Sequence, residues 1–437
     1  MGKPNRKHRA AKQRARLDGA GSWAGLETKE QVSDAIAAAA VATARAGAGG
    51  KAARGDSALA RQFAAQIAAG TTDAAAAPDH GAALDLGTML GDGVDATVRH
   101  IVALTFQNGW LPMDVVQAAR RRTDEFAVGF LVDAIAGHVR PFTTLDEMWR
   151  EQIRELEARV WWAAEQPHFS QWADKHLLTR EEALATVIEA LALLVLLPEV
   201  GLITPLPGTA RPHATHHIDA KVLGRVRGLL AKAESTDFPE EAETLSAKAQ
   251  ELMTKYALDR ALLDADNQVA DVPGARRIWL DTPYTDAKAM LLDAVARANR
   301  SRAIFVAEWG FVTVVGDDAD LDAIELLSTS LLVQATRAMV ATGEQYGDEA
   351  RSRTFRKAFL VAYATRIGER LAAATAATIA ESPAPQRLLP VLASHQLAVD
   401  TAFETLFPHT RSRGVTIRSA EGWDAGRAAA DRARLDT

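Results

Sequence analysis

The chain of 437 residues contains no cysteine. Disulfide bonds, a catalytic thiolate, and zinc or iron–sulfur sites held by cysteine are therefore excluded. Aromatic residues are also scarce, at 6%, whereas 48% of the sequence is hydrophobic and that share leans heavily on alanine. Because alanine, leucine, arginine and glutamate favour helix, we expect a predominantly α-helical protein.

The sequence also lacks a long apolar run and a large excess of either charge. Its longest strongly apolar segment, Ala190 to Leu197, is far shorter than the roughly 20 residues that a membrane helix needs. The basic N-terminus is not followed by an apolar signal segment, so we expect a cytoplasmic protein with no membrane partner. Since the formal net charge is −6, any nucleic-acid binding must come from local basic patches.

Changes in composition predict six segments along the chain. These are a basic tail with an Ala/Gly-rich lead-in, partly disordered (1–79), an all-helical domain (80–197), a linker with proline and histidine (198–218), a helical hairpin (219–260), a small α+β unit (275–345) and the C-terminal helices (350–437). In the helical domain, five of the nine tryptophans are expected in the core: Trp110, Trp149, Trp161, Trp162 and Trp172. A helix is expected at Thr144–Glu165.

The most specific pattern is KVLGRVRGLLAKAESTDFPEEAETLSAKAQELMTKYALD, from Lys221 to Asp259. Apolar residues at helical spacing predict two amphipathic helices, with Leu229 and Leu252 on their buried faces. Ser235-Thr236-Asp237 favours a turn between them. Pro239 then suits the first turn of the second helix.

This pattern resembles a bacterial and phage family known as domain of unknown function 2786. The segment STDFPEEAETLSAKAQELMTKY is its most specific part, and the family usually has a glycine after the tyrosine. Here that residue is Ala257, so the end of the second helix is less sharply specified. The family has no established activity, and the resemblance implies an architecture but no cofactor.

The only convincing β content follows Pro273. Strands are predicted at Arg276–Leu280, Ala303–Ala307 and Phe311–Val315, with helices at Thr285–Asn299 and Asp317–Thr342. Near the C-terminus, Gly422, Gly426 and Ala430 recur every four residues, a spacing that allows two helices to approach closely.

Two groups of cations are the candidates for nucleic-acid contact. Lys221, Arg225 and Lys232 form a stripe on the first helix of the hairpin. Arg353, Arg356 and Lys357 share one face of a C-terminal helix, opposite an apolar stripe of Phe355, Phe359, Tyr363 and Ile367. The basic tail of residues 1–17 is a third possible arm, although such a block is usually a solvated, disordered tail.

Metal and cofactor sites are weakly indicated. His213, His216 and His217 are weak metal candidates, because imidazole suits zinc, but their spacing fits no metal motif and we expect no metal. Asp317-Asp318-Ala319-Asp320 opens a helix after a strand, where acidic residues cap the helix and complement its dipole. No glycine-rich phosphate loop is present, and we expect no cofactor.

The sequence thus favours a non-enzymatic protein that binds nucleic acid or a nucleoprotein complex. One alternative is a hydrolase or nuclease-like enzyme with a site between the hairpin and the α+β unit. The other is a helical protein-interaction module. The ligand and the oligomeric state stay open at this point.

Overall fold

The computed structural model describes residues 25–47, 57–75, 86–209, 220–236, 239–266, 272–382, 385–410 and 419–432. The chain divides into two compact units, Met1–Arg211 and Pro212–Thr437. The described residues are mainly helical and include one three-stranded sheet, in the second unit. The expected fold class, predominantly α with a small α+β unit, is confirmed.

The first unit is built around one buried helix. Its helices are α1 (Lys29–Gly47), α2 (Ser57–Ala75), α3 (Leu86–Gln107), α4 (Pro112–Arg122), α5 (Glu125–Val139), α6 (Glu147–Glu155), α7 (His168–Lys175) and α8 (Arg180–Leu196). Apolar residues lie on most sides of α8, as expected of a buried helix. The helices α1 and α2 both pack against it. Thr179 and Glu182 close its N-terminus with a capping box.

The helix predicted at Thr144–Glu165 is wrong in its second half. The helix α6 ends at Glu155, and the chain then runs irregularly to Pro167. Tertiary contacts account for the difference, since the Trp161 indole donates to Asp133 Oδ2 at 2.8 Å and the Trp162 ring packs 4.1 Å from the ring of His168. These contacts override the local helix propensity.

Three of the five tryptophans expected in the core are buried there: Trp110, Trp149 and Trp172. The first two also satisfy their indole N–H groups, by donating to the carbonyls of Pro198 and Pro205. The expectation is wrong for Trp161, which is 39% exposed, and Trp162 is only partly buried. The exposed indole is held at the surface by its bond to Asp133.

The second unit contains the sheet and seven further helices among the described residues. Its elements are α9 (Ala220–Ser235), α10 (Pro239–Asp266), β1 (Gly274–Trp279), α11 (Thr285–Ala298), β2 (Arg302–Val306), β3 (Phe311–Gly316), α12 (Asp318–Tyr346), a 3₁₀ turn (Glu349–Arg351), α13 (Arg353–Ala380), α14 (Pro385–Leu406) and α15 (Ala420–Arg432). The strand order is β1-β3-β2, with both pairs antiparallel. All three strands lie within two residues of their predicted positions.

The two helices of the hairpin, α9 and α10, pack along each other. Val226, Leu230 and Ala233 of α9 are buried, together with Ala249 and Met253 of α10. Leu229 and Leu252 pack against this core but are only partly buried, which is less burial than the sequence predicted. The helix α10 continues past Ala257 to Asp266, as the missing glycine stop allows.

The helix α13 contributes to the same core. Phe355, Phe359, Tyr363 and Ile367 are all buried, which confirms the predicted apolar stripe. The helix α15 lies so close to α13 that a Cβ atom added at Gly426 would be 2.3 Å from the Phe359 carbonyl oxygen. The packing role predicted for the small residues of α15 is confirmed.

This close approach of α15 to α13 predicts the sign of the stability change that a substitution at Gly426 causes. Gly426→Ala should lower the free energy of unfolding, although alanine normally stabilises a helix interior by about 1 kcal/mol relative to glycine. The control is Gly228→Ala, because a Cβ atom at Gly228 would meet no described atom within 4 Å. Denaturant titration of both variants should give shifts of opposite sign, and a stabilised Gly426→Ala protein would contradict the packing.

Candidate nucleic-acid interface

The outer face of α9 carries four exposed cations. Lys221, Arg225 and Lys232, predicted from the sequence, lie along one edge of this face, and Arg227 lies on the opposite edge. Among the described residues of α9, no exposed residue is acidic. One carboxylate of α10 reaches the edge, where Glu241 Oε1 lies 2.8 Å from Lys232 Nζ. The face is therefore positively charged even though the chain is acidic.

Between the two edges, the exposed residues of α9 are all small. Gly224, Gly228, Ala231 and Ser235 form this crest of the helix. A Cβ atom at Gly224 or Gly228 would meet no described atom within 4 Å, so the fold itself does not require glycine at either position. Because glycine in a helix interior costs about 1 kcal/mol relative to alanine, the crest has a stability cost that packing does not explain.

Burial of the opposite side fixes this orientation of α9. Leu223, Val226, Leu230 and Ala233 lie on the core side, and the helix packs against α10 and α12. The guanidinium group of Arg337 on α12 also donates to the backbone carbonyl of Glu234. Sequence reasoning missed Arg227 and the two glycines, although a helical projection of the face would have shown them.

The second group of candidate cations is less available. Arg353 is exposed at the first position of α13. Arg356 Nε donates to the Ala350 carbonyl at 3.1 Å and holds the 3₁₀ turn, while the ammonium group of Lys357 pairs with the Asp286 carboxylate. The structure thus places the three α9 candidates on one exposed face, whereas Arg356 and Lys357 are only partly exposed.

The basic tail of residues 1–17 and the histidines His213, His216 and His217 lie outside the described residues. Where the chain is described, no group of three or more histidine, aspartate or glutamate residues has an arrangement that could hold a metal ion. Over the same ranges, no helix is long and apolar enough to span a bilayer.

A buried charge cluster lies between the hairpin and the α+β unit. Arg260 of α10 contacts Asp317 through Nη2 and Oδ2 at 2.6 Å, and Arg300 contacts Asp320 through Nη2 and Oδ2 at 3.2 Å. His395 Nε2 of α14 lies 3.4 Å from the same oxygen of Asp317. The acidic run at the start of α12 was predicted from the sequence to complement the helix dipole, and its position fits that role. Its pairing with two arginines was not anticipated.

The electrostatics of this cluster are those of an enclosed site. Burial raises the pKa of Asp320, and the positive charges of Arg300 and Arg260 oppose the rise. The side chains of Asp320, Arg260 and Arg300 are 8%, 11% and 12% exposed. A reaction centre needs access for a substrate, so this enclosure favours a role in joining α10, α12 and α14 over a catalytic role.

A groove of about 500 Å³ runs between α11 and α13. Its walls are mainly small and apolar: Met290, Ala294, Ala298, Ala364, Gly368, Ala372, Ala376 and Ile379. Its one carboxylate, Asp293, is paired with Arg297 at 2.8 Å. A deep pocket lined by several acids or histidines would have favoured the hydrolase alternative, and this groove does not have that lining.

Comparison with known proteins supports the resemblance seen in the sequence. Residues 221–260, which form α9 and most of α10, match the model of a family described as a protein of unknown function, DUF2786. The matched residues include the whole predicted basic stripe. No curated protein and no solved structure shows significant similarity to the chain.

Proposed function

We propose that the protein is a non-enzymatic, cytoplasmic nucleic-acid-binding protein, and that the outer face of α9 is its contact surface. The observation that carries the proposal is a set of four exposed cations on α9, none of whose own described exposed residues is acidic: Lys221, Arg225, Arg227 and Lys232. Lysine and arginine bind nucleic acid by neutralising phosphates and releasing counterions. Nucleic acid within a nucleoprotein complex would present the same phosphates.

Local charge is the physical basis of the proposal. A chain of net charge −6 repels polyanions at long range, so binding requires cations gathered at one place. On α9 the three cations of one edge recur four and seven residues apart, along three turns of the helix. The ion pair of Lys232 with Glu241 is solvent-exposed. An exposed pair of this kind contributes about 0–1 kcal/mol, so a phosphate can replace the carboxylate at small cost.

A triple variant tests the proposal. Lys221→Gln, Arg225→Gln and Lys232→Gln together should weaken binding to a fluorescent duplex or single strand at least tenfold at low salt. If each lost side chain contacts one phosphate, the slope of log K against log salt should fall by roughly 2 to 3, because each phosphate contact contributes about 0.7 to 0.9. Fluorescence anisotropy over a salt series measures both quantities.

A matched control separates this face from net charge. Lys248, Lys255 and Arg297 are also exposed, but each pairs with a carboxylate on its own helix. Changing these three to glutamine alters the net charge equally and should leave affinity within about twofold. Equal losses in the two triple variants would contradict the assignment to α9.

The protein-interaction alternative has one observation in its favour. Leu389 and Leu397 are exposed on α14, at 58% and 68%. If the wild-type protein binds neither duplex nor single-stranded nucleic acid at low salt, the nucleic-acid proposal fails. Leu389→Glu and Leu397→Glu would then be the first variants to examine in affinity recovery of protein partners from nuclease-treated cells.

A further inference from the structure

We infer that the ligand of the α9 face is B-form duplex DNA, held through its phosphates without reading of the base sequence. This inference rests on the proposed function. In this arrangement the small crest of α9 lies in the major groove, and the cations of the two edges contact the phosphates on either side.

The shape of the exposed face of α9 is suited to binding in the major groove of DNA. Gly224, Gly228, Ala231 and Ser235 make the crest low, while the longer side chains of Arg225 and Arg227 extend from opposite edges. The major groove of B-form DNA is about 12 Å wide and admits an α-helix. A low crest lets the backbone of α9 approach the groove floor while the flanking cations reach the groove walls. The same shape explains why glycine occupies two positions where the fold leaves room for a side chain.

The composition of the face argues against single strands. Proteins that bind single-stranded nucleic acid without sequence preference stack the bases on aromatic side chains. The exposed residues of α9 that the structure describes include no aromatic residue. A single strand would therefore gain phosphate contacts on this face but no stacking.

The groove dimensions argue against duplex RNA. The major groove of A-form RNA is deep and too narrow for side chains to read, so an α-helix cannot enter it. Duplex RNA would have to bind the cations of one edge alone. Its affinity should then fall below that of duplex DNA of the same sequence.

The absence of sequence readout follows from the crest. Base edges are usually read by arginine, asparagine, glutamine or acidic side chains that face the groove floor. The described crest offers only one hydroxyl group, that of Ser235. Because Arg225 and Arg227 lie on the edges, they meet phosphates, which position a protein on the duplex but carry no sequence information.

Competition binding with the full-length protein tests these preferences. The competitors are a duplex DNA of about two helical turns, a second duplex of the same base composition in shuffled order, the matching duplex RNA, and one of the DNA strands alone. We expect the two DNA duplexes to compete within twofold of each other. We expect duplex RNA and the single strand to compete at least tenfold more weakly.

Glycine variants test whether α9 binds in the major groove. Gly224→Leu and Gly228→Leu add bulk to the crest at positions where a Cβ atom meets no described atom within 4 Å. They should lower duplex DNA affinity at least tenfold while circular dichroism stays unchanged. The control is Gly129→Leu, since Gly129 is also an exposed helical glycine with open space around it. It should bind DNA as the wild type does.

The outcomes separate the two levels of the proposal. Binding in the major groove of B-form DNA would be contradicted if duplex RNA or a single strand competed as well as duplex DNA. It would also be contradicted if the glycine variants kept full affinity. Nucleic-acid binding on α9 would stand in both cases. Strong dependence on shuffled sequence would overturn the lack of readout. Failure of every nucleic acid to bind would overturn both this inference and the proposed function.

Discussion

Replacing Arg260 by alanine should lower the free energy of unfolding of the second unit by about 3–5 kcal/mol, because removal of one partner from a buried ion pair leaves the Asp317 carboxylate without its arginine. Arg260 joins α10 to the start of α12, with Nη2 2.6 Å from Asp317 Oδ2 and 3.9 Å from Asp320 Oδ1. Its side chain is 11% exposed, so water cannot replace the lost contacts. Denaturant titration measures the change, and hydrogen exchange in α10 and α12 assigns it to this unit.

The matched control for Arg260 is Arg297. Arg297 also forms an ion pair, with Asp293 at 2.8 Å, but its side chain is 75% exposed. Arg297→Ala should therefore cost about 0–1 kcal/mol. Losses of similar size at the two positions would show that the buried cluster does not hold the second unit together.

The loss of stability in Arg260→Ala should depend on pH, because it depends on the protonation state of Asp320. Burial raises the pKa of Asp320, so the folded chain holds this proton more tightly than the unfolded chain does. The contribution of this group to stability is therefore fully present below its ordinary pKa and is lost as the pH rises through the raised pKa. Arg260 is one of the cations that oppose the rise, so its removal should cost less at about pH 4, where aspartate gains its proton, than at about pH 7. An equal loss at both values would contradict this account.

Local patterns predicted most elements of the second unit. The run Phe311–Gly316 is rich in valine and became β3, the central strand, which is buried along its whole length. Gly422 and Gly426 were correctly interpreted as packing residues because helix spacing places them on one face. Patterns of this kind depend on neighbours within a few residues, which the sequence displays directly.

Contacts between distant residues could not be predicted in the same way. Arg260 and Asp317 are far apart in the chain, and nothing in either neighbourhood identifies the other as its partner. The irregular segment after α6 has the same cause. The Trp161 indole donates a hydrogen bond to the distant Asp133 carboxylate, while the local sequence around Trp161 favours helix. The small crest of α9 is a different case: the basic stripe was predicted, and a helical projection of the sequence would also have placed Gly224 and Gly228 on the same exposed face.

Leu230→Ala should lower the free energy of unfolding by about 2–5 kcal/mol, as for other leucine residues truncated within a packed core. The apolar spacing of α9 fits both leucines, so the sequence alone did not distinguish them, and Leu229 was the one predicted to be buried. The structure distinguishes them, since Leu230 is 3% exposed and belongs to the core of the second unit, while Leu229 packs at its margin.

The pair Leu230 and Leu229 is its own matched control, since both changes remove the same atoms from adjacent positions of one helix. The smaller apolar area buried by Leu229 predicts a smaller loss on truncation, in proportion to the area removed from water. Equal losses, or a larger loss at Leu229, would mean that α9 is rotated about its axis from the orientation described. Such a rotation would also move Lys221, Arg225 and Lys232 off the exposed face. The stability of two leucine variants therefore tests the surface on which the proposed DNA contact depends, without any nucleic acid in the experiment.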